Sequence, residues 1–412
     1  MNVRSMSLSN GMTLYHQHLA GAPRIALNLY IHGGNRIEGH PGLADLIDGL
    51  LMEGTSTRSA EQIAIELDSL SLDVDTDTRR DYSMMGSTFL EEDLDASLSL
   101  MADLLFDSTL HEFEKEKIRM HGELMMDLDS PKSRSHDLLM TTMFAGSPYQ
   151  ASHSRILEKL PELTSVDPLK THYAAAYQPE NIHMTVVGDC NLDTLKNQIE
   201  KNFNRGAGQN YAEKNGLDVP LILSESQYVT DTKDDSNQLH VYQGWFAPLA
   251  THPDYPAMVV LNCILGSAGL TSRLFLELRD KQGLAYNVRS QYETSRYVGL
   301  FYLYIGTEPN NREKVLKGFD IECQKLMDTA VGAQELAEAK ENVLGRRVVF
   351  LETAPQQCSY LGSQLSIGVS LEEMDALPEH IKTVSAQDVQ RVAQRYLSQP
   401  SVISAVGPSQ FL

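Results

Sequence analysis

The chain has 412 residues and a formal net charge of −21, because 34 Lys and Arg stand against 55 Asp and Glu. This charge argues against nucleic-acid and anionic-membrane binders, whose phosphate-binding surfaces are rich in Lys and Arg. Hydrophobic residues make up 42% of the chain and charged residues 22%, which is typical of a globular protein and not of a disordered one.

The spacing of apolar residues predicts a mixture of strands and helices along the first half of the chain. Strands are expected at Ile25–His32 and, as an antiparallel pair, within Leu72–Phe89. Helices are expected in four segments: Ala44–Met52, Ala60–Ser69, Asp93–Phe106 and Phe113–Leu128. Because these elements do not alternate strictly as β-α-β units, they favour the α+β class over a doubly wound parallel sheet.

A long internal repeat relates the two halves of the chain. The segment HYAAAYQPENIHMTVVGD at 172–189 matches RVAQRYLSQPSVISAVGP at 391–408, so that Tyr177 aligns with Tyr396 and Gly188 with Gly407. In both copies an amphipathic helix ends in Tyr and is followed by a Pro-containing turn and a strand that ends in Gly. A repeat of this length indicates one structural unit present twice.

The repeat predicts two domains, residues 1–205 and 221–412, joined by a linker over 206–220. The linker begins with Gly206-Ala207-Gly208 and is mostly polar, the composition of a flexible joint. Each domain is expected to be a mainly antiparallel β-sheet packed with α-helices.

The chain is not expected to enter or cross a membrane. Its first ten residues contain one Arg and lack the apolar core of a signal peptide, and no apolar run reaches the roughly 18 residues of a membrane span. The cysteines are far apart and form no C-x-x-C pair: Cys190, Cys263, Cys323 and Cys358. Such thiols fit a cytoplasmic location, with a periplasmic one as the alternative if a signal peptide has been removed.

The segment GLADLIDGLLMEGT at 42–55 resembles the metal-binding helix of the pitrilysin (insulinase-like) metallopeptidases. In that family the helix carries H-x-x-E-H, with two zinc-binding His residues one turn apart and a Glu that acts as general base. Here Asp45, Asp48 and Gly49 take the positions of the first His, the Glu and the second His. The resemblance therefore implies a degenerate zinc motif, and we expect no metal or other cofactor in this chain.

The family's third zinc ligand is a Glu on a later helix that carries another Glu two turns earlier. The segment EKIRMHGE at 116–123 keeps this pattern, so Glu123 takes the ligand position and Glu116 that of the earlier Glu. Carboxylates at Asp45, Asp48 and Glu123 would suit Mg²⁺, Mn²⁺ or Ca²⁺ better than Zn²⁺. We favour a relict site whose carboxylates are solvated or paired over a site for another metal.

The segment GLTSRLFLELRDKQGLAY at 269–286 is similar to a second block of the same family. In active members, the residues that match Arg279 and Tyr286 reach the scissile peptide, where they would donate hydrogen bonds to the carbonyl and its oxyanion. From spacing alone, Arg279 would neutralise a helix C-terminus and Tyr286 would be a half-buried strand aromatic. The match of the whole block favours the catalytic role.

Family members of this length resemble half-molecules that pair with a second chain to close a peptide chamber. The resemblance therefore implies a zinc-less subunit, like the alpha subunit of the mitochondrial processing peptidase or the non-catalytic chain of bacterial heterodimers. A homologous partner would bind zinc, and this chain would supply chamber wall together with Arg279 and Tyr286 in trans. Two alternatives stay open: a scaffold protein of the same fold without peptidase activity, and an isolated hydrolase that uses another metal.

The expected substrates are peptides or unfolded polypeptides. In the family, an edge strand of the first domain binds peptides by strand addition, and the corresponding segment here, DVDTDT at 73–78, is strongly acidic. Acidic walls would favour basic peptides, although the net charge also serves solubility.

Overall fold

The computed structural model describes residues 2–205 and 221–412. The predicted linker, 206–220, lies outside the described residues. The strands are β1 (Val3–Ser7), β2 (Thr13–His18), β3 (Ile25–His32), β4 (Asp75–Thr78), β5 (Tyr82–Phe89), β6 (Ile182–Gly188), β7 (Gln227–Thr232), β8 (Leu239–Ala247), β9 (Ala285–Thr294), β10 (Gly299–Thr307) and β11 (Val402–Gly407).

The helices agree with the predicted ones to within about two residues, which is the usual uncertainty of helix ends. Ser59 caps α2, since its hydroxyl accepts a hydrogen bond from the backbone N–H of Gln62. No helix within the described ranges has the length and apolar character needed to cross a bilayer. The helices are α1 (Leu43–Leu50), α2 (Ala60–Ser69), α3 (Leu94–Asp107), α4 (Phe113–Asp129), α5 (Pro131–Met143), α6 (His153–Lys159), α7 (Asp167–Ala176), α8 (Leu192–Asn202), α9 (Tyr255–Asn262), α10 (Arg312–Asp328), α11 (Ala333–Phe350), α12 (Ala354–Ser366), α13 (Leu371–Thr383) and α14 (Ala386–Val392).

The strands form one sheet in each of two units. The first sheet has the order β1-β2-β6-β3-β5-β4 and the second has the order β7-β11-β8-β10-β9. Five strands of the first sheet match the second sheet position by position, and in both only one pair is parallel, β2 with β6 and β7 with β11. This confirms the predicted α+β class, the mainly antiparallel sheets and the duplication.

The units are compact but not contiguous in sequence. Unit 1 contains 2–123, 155–205 and 350–371, whereas unit 2 contains 124–154, 221–349 and 372–412. The helical segment 124–154, from the first half of the sequence, thus belongs to unit 2, and the segment 350–371, from the second half, belongs to unit 1. The boundaries 1–205 and 221–412 stay a prediction about the sequence repeat. The compact units of the structure have different boundaries.

The two exchanged segments each cover a sheet. In unit 1, α12 packs on the central strands β3 and β6, and in unit 2, α5 packs on β8 and β11. The packing of α12 is close: a Cβ on Gly362 would lie 1.9 Å from Cε2 of the buried Tyr30. The helix can approach the strand this closely because residue 362 has no side chain.

Candidate functional site

Helix α1 carries the degenerate zinc motif, and its start is fixed by Gly42 and Glu38. Gly42 has φ +89°, a left-handed conformation that glycine adopts without strain. The Glu38 carboxylate accepts hydrogen bonds from the backbone N–H groups of Gly42 (3.0 Å) and Ala44 (3.1 Å), which caps the helix. Burial, and then the nearby charge of Asp45, raise the pKa of Glu38 to about 8.

The two acidic motif residues on α1 form hydrogen bonds with other residues of this chain. Asp45 Oδ2 accepts a hydrogen bond from Asn35 Nδ2 at 2.8 Å. Asp48 is buried, and its carboxyl group accepts hydrogen bonds from the hydroxyls of Tyr177 (3.3 Å) and Thr78. Burial raises the pKa of Asp48 well above its usual range, so this group is held as a hydrogen-bonded carboxyl inside unit 1.

The third motif position, Gly49, faces a space that is already filled. A Cβ built on Gly49 would lie 1.9 Å from Glu116 Oε1 and 2.9 Å from Arg119 Nη2. Real Cβ atoms do not approach other heavy atoms at 1.9 Å, so any side chain at this position would have to displace Glu116. Where the family's motif has its second His, this chain therefore places an ion pair of α4.

That ion pair extends to the third ligand position. Arg119 Nε donates to Glu116 Oε2 at 2.8 Å and Nη2 donates to Oε1 of the same carboxylate, a bidentate pair. Arg119 Nη1 donates to Glu123 Oε1 at 2.5 Å. Glu116 is only 4% exposed, so its charge is compensated by the guanidinium rather than by water.

These residues do not fit zinc. A zinc site needs imidazole or thiolate ligands in a tetrahedral arrangement, and neither His position of the motif holds one. Across 2–205 and 221–412, no group of three or more His, Cys, Asp or Glu side chains is arranged to hold a metal ion. The alternative site for another metal at Asp45, Asp48 and Glu123 is thus not assembled, because each carboxylate is hydrogen-bonded to a different residue of this chain.

The second predicted pair, Arg279 and Tyr286, is brought together in unit 2. The guanidinium carbon of Arg279 lies 4.8 Å from the centre of the Tyr286 ring and 4.6 Å from that of Phe275. Tyr286 is 81% exposed at the start of β9, so its hydroxyl is open to solvent. The half-buried position that spacing alone suggested for Tyr286 is wrong.

A π-helical turn over Phe275–Asp280 positions Arg279. This geometry places Phe275 and Arg279 on one face, and π turns of this kind are frequent at functional sites. The turn is closed by backbone hydrogen bonds from Gly283 to Arg279 (3.0 Å) and from Leu284 to Leu278 (2.9 Å). The Arg279 guanidinium thus lies within cation–π distance of two aromatic rings, those of Phe275 and Tyr286.

Strand β4 lies at the edge of the first sheet, next to β5. Asp73 and Asp75 are exposed there, and Asp77 forms an ion pair with Arg79 at 2.5 Å. An edge strand offers unpaired backbone groups to an extended peptide. The acidic segment at 73–78 therefore includes an edge strand of the first sheet.

Two residues that shape the site were not predicted as functional. Arg119 stands three residues after Glu116 and four before Glu123, and this i+3, i+4 spacing was a signal that it pairs with both. Glu38 gave no comparable signal, since it caps α1 across a turn and not from within a helical pattern.

Sequence comparisons place known protein families on most of the chain. The family described as insulinase (peptidase family M16) matches residues 14–155, and the peptidase M16 inactive domain matches residues 164–343. An uncharacterized zinc protease of Bacillus subtilis is 24% identical over 411 residues, covering 99% of this chain and 98% of the relative. Another, from Streptomyces coelicolor, is 26% identical over 417 residues, covering 98% of this chain and 90% of the relative.

Solved structures share the fold over nearly the full length. A protease from Helicobacter pylori superposes with a TM-score of 0.89 at 21% identity, covering 98% of this chain and 99% of the other. A peptidase M16 inactive domain from Pseudomonas fluorescens gives the same TM-score of 0.89 at 21% identity, with 99% of each chain covered. At this identity the similarity concerns the fold.

Proposed function

The chain belongs to peptidase family M16, and from this premise we propose that it is the zinc-less subunit of a two-chain peptidase. Its partner would be a homologous chain with an intact H-x-x-E-H motif. This chain would form half of the peptide chamber and act on the substrate from its second unit. Alone it would cleave no peptide.

One contrast supports this proposal. In unit 1 the metal motif is closed, because Glu116 and Arg119 fill the space at Gly49. In unit 2 both Arg279 and Tyr286 are present, with the Arg279 guanidinium near the ring centres of Phe275 (4.6 Å) and Tyr286 (4.8 Å) and with Tyr286 exposed. A subunit that acts on the substrate in trans would need such a solvent-facing Arg–Tyr pair.

The pair suits stabilisation of a developing negative charge. The Tyr286 hydroxyl can donate one hydrogen bond, and the Arg279 guanidinium has donors on three nitrogen atoms. Directed at the carbonyl oxygen of a bound peptide, they would stabilise the oxyanion more than the ground-state carbonyl. The hydrogen bonds of an oxyanion site are typically worth about 10²–10³ in kcat for each donor removed.

The substrates are proposed to be extended, basic peptides. Support comes from the position of β4 at a sheet edge and from the exposed carboxylates of Asp73 and Asp75 beside it. Strand addition supplies backbone hydrogen bonds without sequence preference, so the charge would select the peptide.

The proposed compartment is the cytoplasm. All four cysteines are buried free thiols, so the fold uses no disulfide bond. Free thiols of this kind are typical of a reducing environment.

A scaffold protein of the same fold remains the second candidate, because the closed metal motif alone would suit it equally well. Cleavage of a peptide by this chain mixed with a zinc-bearing homologue tests the proposal. Cleavage that needs both chains supports it, and a complex in which this chain adds nothing to cleavage favours the scaffold.

A further inference from the structure

We propose that the guanidinium of Arg119 takes the place of the metal ion of the family's zinc motif. The motif would then be unable to bind zinc both because its His residues are absent and because Arg119 holds Glu116 in the space beside Gly49. The loss of a side chain at Gly49 and the presence of Arg119 would then be two parts of one arrangement. This inference concerns the single chain and holds whether or not a partner subunit exists.

The first support is the position of the guanidinium. Arg119 Nη2 lies 2.9 Å from the point where a Cβ on Gly49 would be, which is the second His position of the motif. Through Nη1 the same group donates a hydrogen bond to Glu123, which holds the position of the third ligand. The guanidinium thus reaches both the second His position of the motif on α1 and the third ligand position on α4.

The second support is the charge. Glu116 is buried and Glu123 is exposed, and a single guanidinium pairs with both carboxylates. A buried carboxylate without a cation is strongly unfavourable, and Arg suits the task because its planar fork binds a carboxylate through two hydrogen bonds. The side chain of Arg119 therefore supplies the positive charge that a bound metal ion would otherwise supply.

The third support is mutual exclusion. With Glu116 and Arg119 in place, a side chain at residue 49 would overlap the Glu116 carboxylate. Restoring His residues to the motif would therefore be insufficient for zinc binding while Arg119 holds Glu116 in this space. Removing Arg119 would free both Glu116 and Glu123 for other partners.

Zinc binding by full-length variants tests this proposal. Asp45→His with Gly49→His restores both imidazoles in a background that keeps Glu123, and this double variant is compared with the triple variant that adds Arg119→Ala. The triple variant is expected to bind one zinc ion in equilibrium dialysis at least tenfold more tightly than the double variant. The matched control adds Arg58→Ala instead, since Arg58 also pairs with two carboxylates of unit 1, Glu66 and Asp103.

Equal zinc affinity of the double and triple variants would overturn the proposal, as would an equal gain from Arg58→Ala. If the triple variant fails to fold, the single variant Arg119→Ala decides. Its melting temperature should fall below that of the wild type and rise again with millimolar guanidinium chloride, but not with the same concentration of sodium chloride. An unchanged melting temperature, or no difference between the two salts, contradicts the role of Arg119 as a replacement cation.

Discussion

The guanidinium carbon of Arg279 lies 4.6 Å from the centre of the Phe275 ring. Phe275 and Arg279 belong to the same π-helical turn, whereas Tyr286 follows that turn in the sequence. Phe275 is thus a positioning residue for the proposed oxyanion donor. A cation–π contact of this kind is worth about 0.5–1 kcal/mol at an exposed site and more when it is desolvated. We therefore expect this contact to help orient Arg279.

Phe275→Leu should therefore lower peptide cleavage by the assembled pair about threefold to tenfold in kcat, with little change in KM. Leucine keeps most of the apolar volume but cannot stack on the guanidinium. Leu276→Ala, on the same turn and 39% exposed, is the control and should leave kcat unchanged. An equal loss from both variants would mean that Phe275 acts only on the local fold.

The buried carboxyl group of Asp48 predicts a pH-dependent stability. Its pKa in the folded state is raised by burial, so the folded state holds a proton that the unfolded chain releases. This contribution to stability is fully present below the unfolded pKa, about 3.8–4 for Asp, and is lost as the pH rises through the raised folded value. Glu38 acts in the same direction, and its contribution is lost progressively from its unfolded pKa, about 4.3, up to its folded pKa of about 8.

Asp48→Asn removes the proton linkage at this position. In urea titrations between pH 5 and pH 8, the free energy of unfolding of the variant, relative to that of the wild type, should therefore increase with pH until the pH passes the raised pKa of Asp48. Asp68→Asn, a change at an exposed position of α2, should show a constant difference over this range. A constant difference for Asp48→Asn as well would show that the group is ionised in the folded state.

The contact between Gly362 and Tyr30 predicts how α12 is held on the first sheet. Gly362→Ala would place a methyl group inside the buried Tyr30 ring, so we expect a loss of about 1–3 kcal/mol in the free energy of unfolding. Gly345→Ala on α11 is the matched control, because nothing lies within 4 Å of its added Cβ. That helical change should instead stabilise the protein by about 0.5–1 kcal/mol. Equal effects of the two variants would contradict the close packing of α12.

The exposed carboxylates beside β4 predict salt-dependent peptide binding. A lysine-rich peptide should bind the assembled pair more weakly as the salt concentration rises, because ions screen exposed charges over about 10 Å at 0.1 M. Asp73→Asn with Asp75→Asn should weaken binding of this peptide several-fold and reduce its dependence on salt. A neutral peptide of equal length is the control, and equal losses for both peptides would argue against selection by charge.

Much of this architecture could be predicted from the sequence. The repeat around Tyr177 and Tyr396 gave the duplication, and the patterns of α1 and α4 placed Asp45, Asp48 and Glu123 on the helices where they lie. The exchange of α12 could not be predicted, because an amphipathic pattern shows that a helix has a buried face but not which sheet it covers. The filling of the space at Gly49 could not be predicted either, since it depends on the side-chain conformation of Glu116.

Our proposal is that this chain, which has no metal-binding cluster within 2–205 and 221–412, supplies hydrogen-bond donors to a partner's reaction. It is tested most directly by measuring peptide cleavage with the purified chain, with a homologous H-x-x-E-H chain, and with the two together. We predict no cleavage and no stoichiometric zinc for this chain alone, cleavage by the pair, and a loss of at least 10²-fold in kcat when Arg279→Ala and Tyr286→Phe are introduced into this chain. Undiminished cleavage by the pair carrying both substitutions would contradict it.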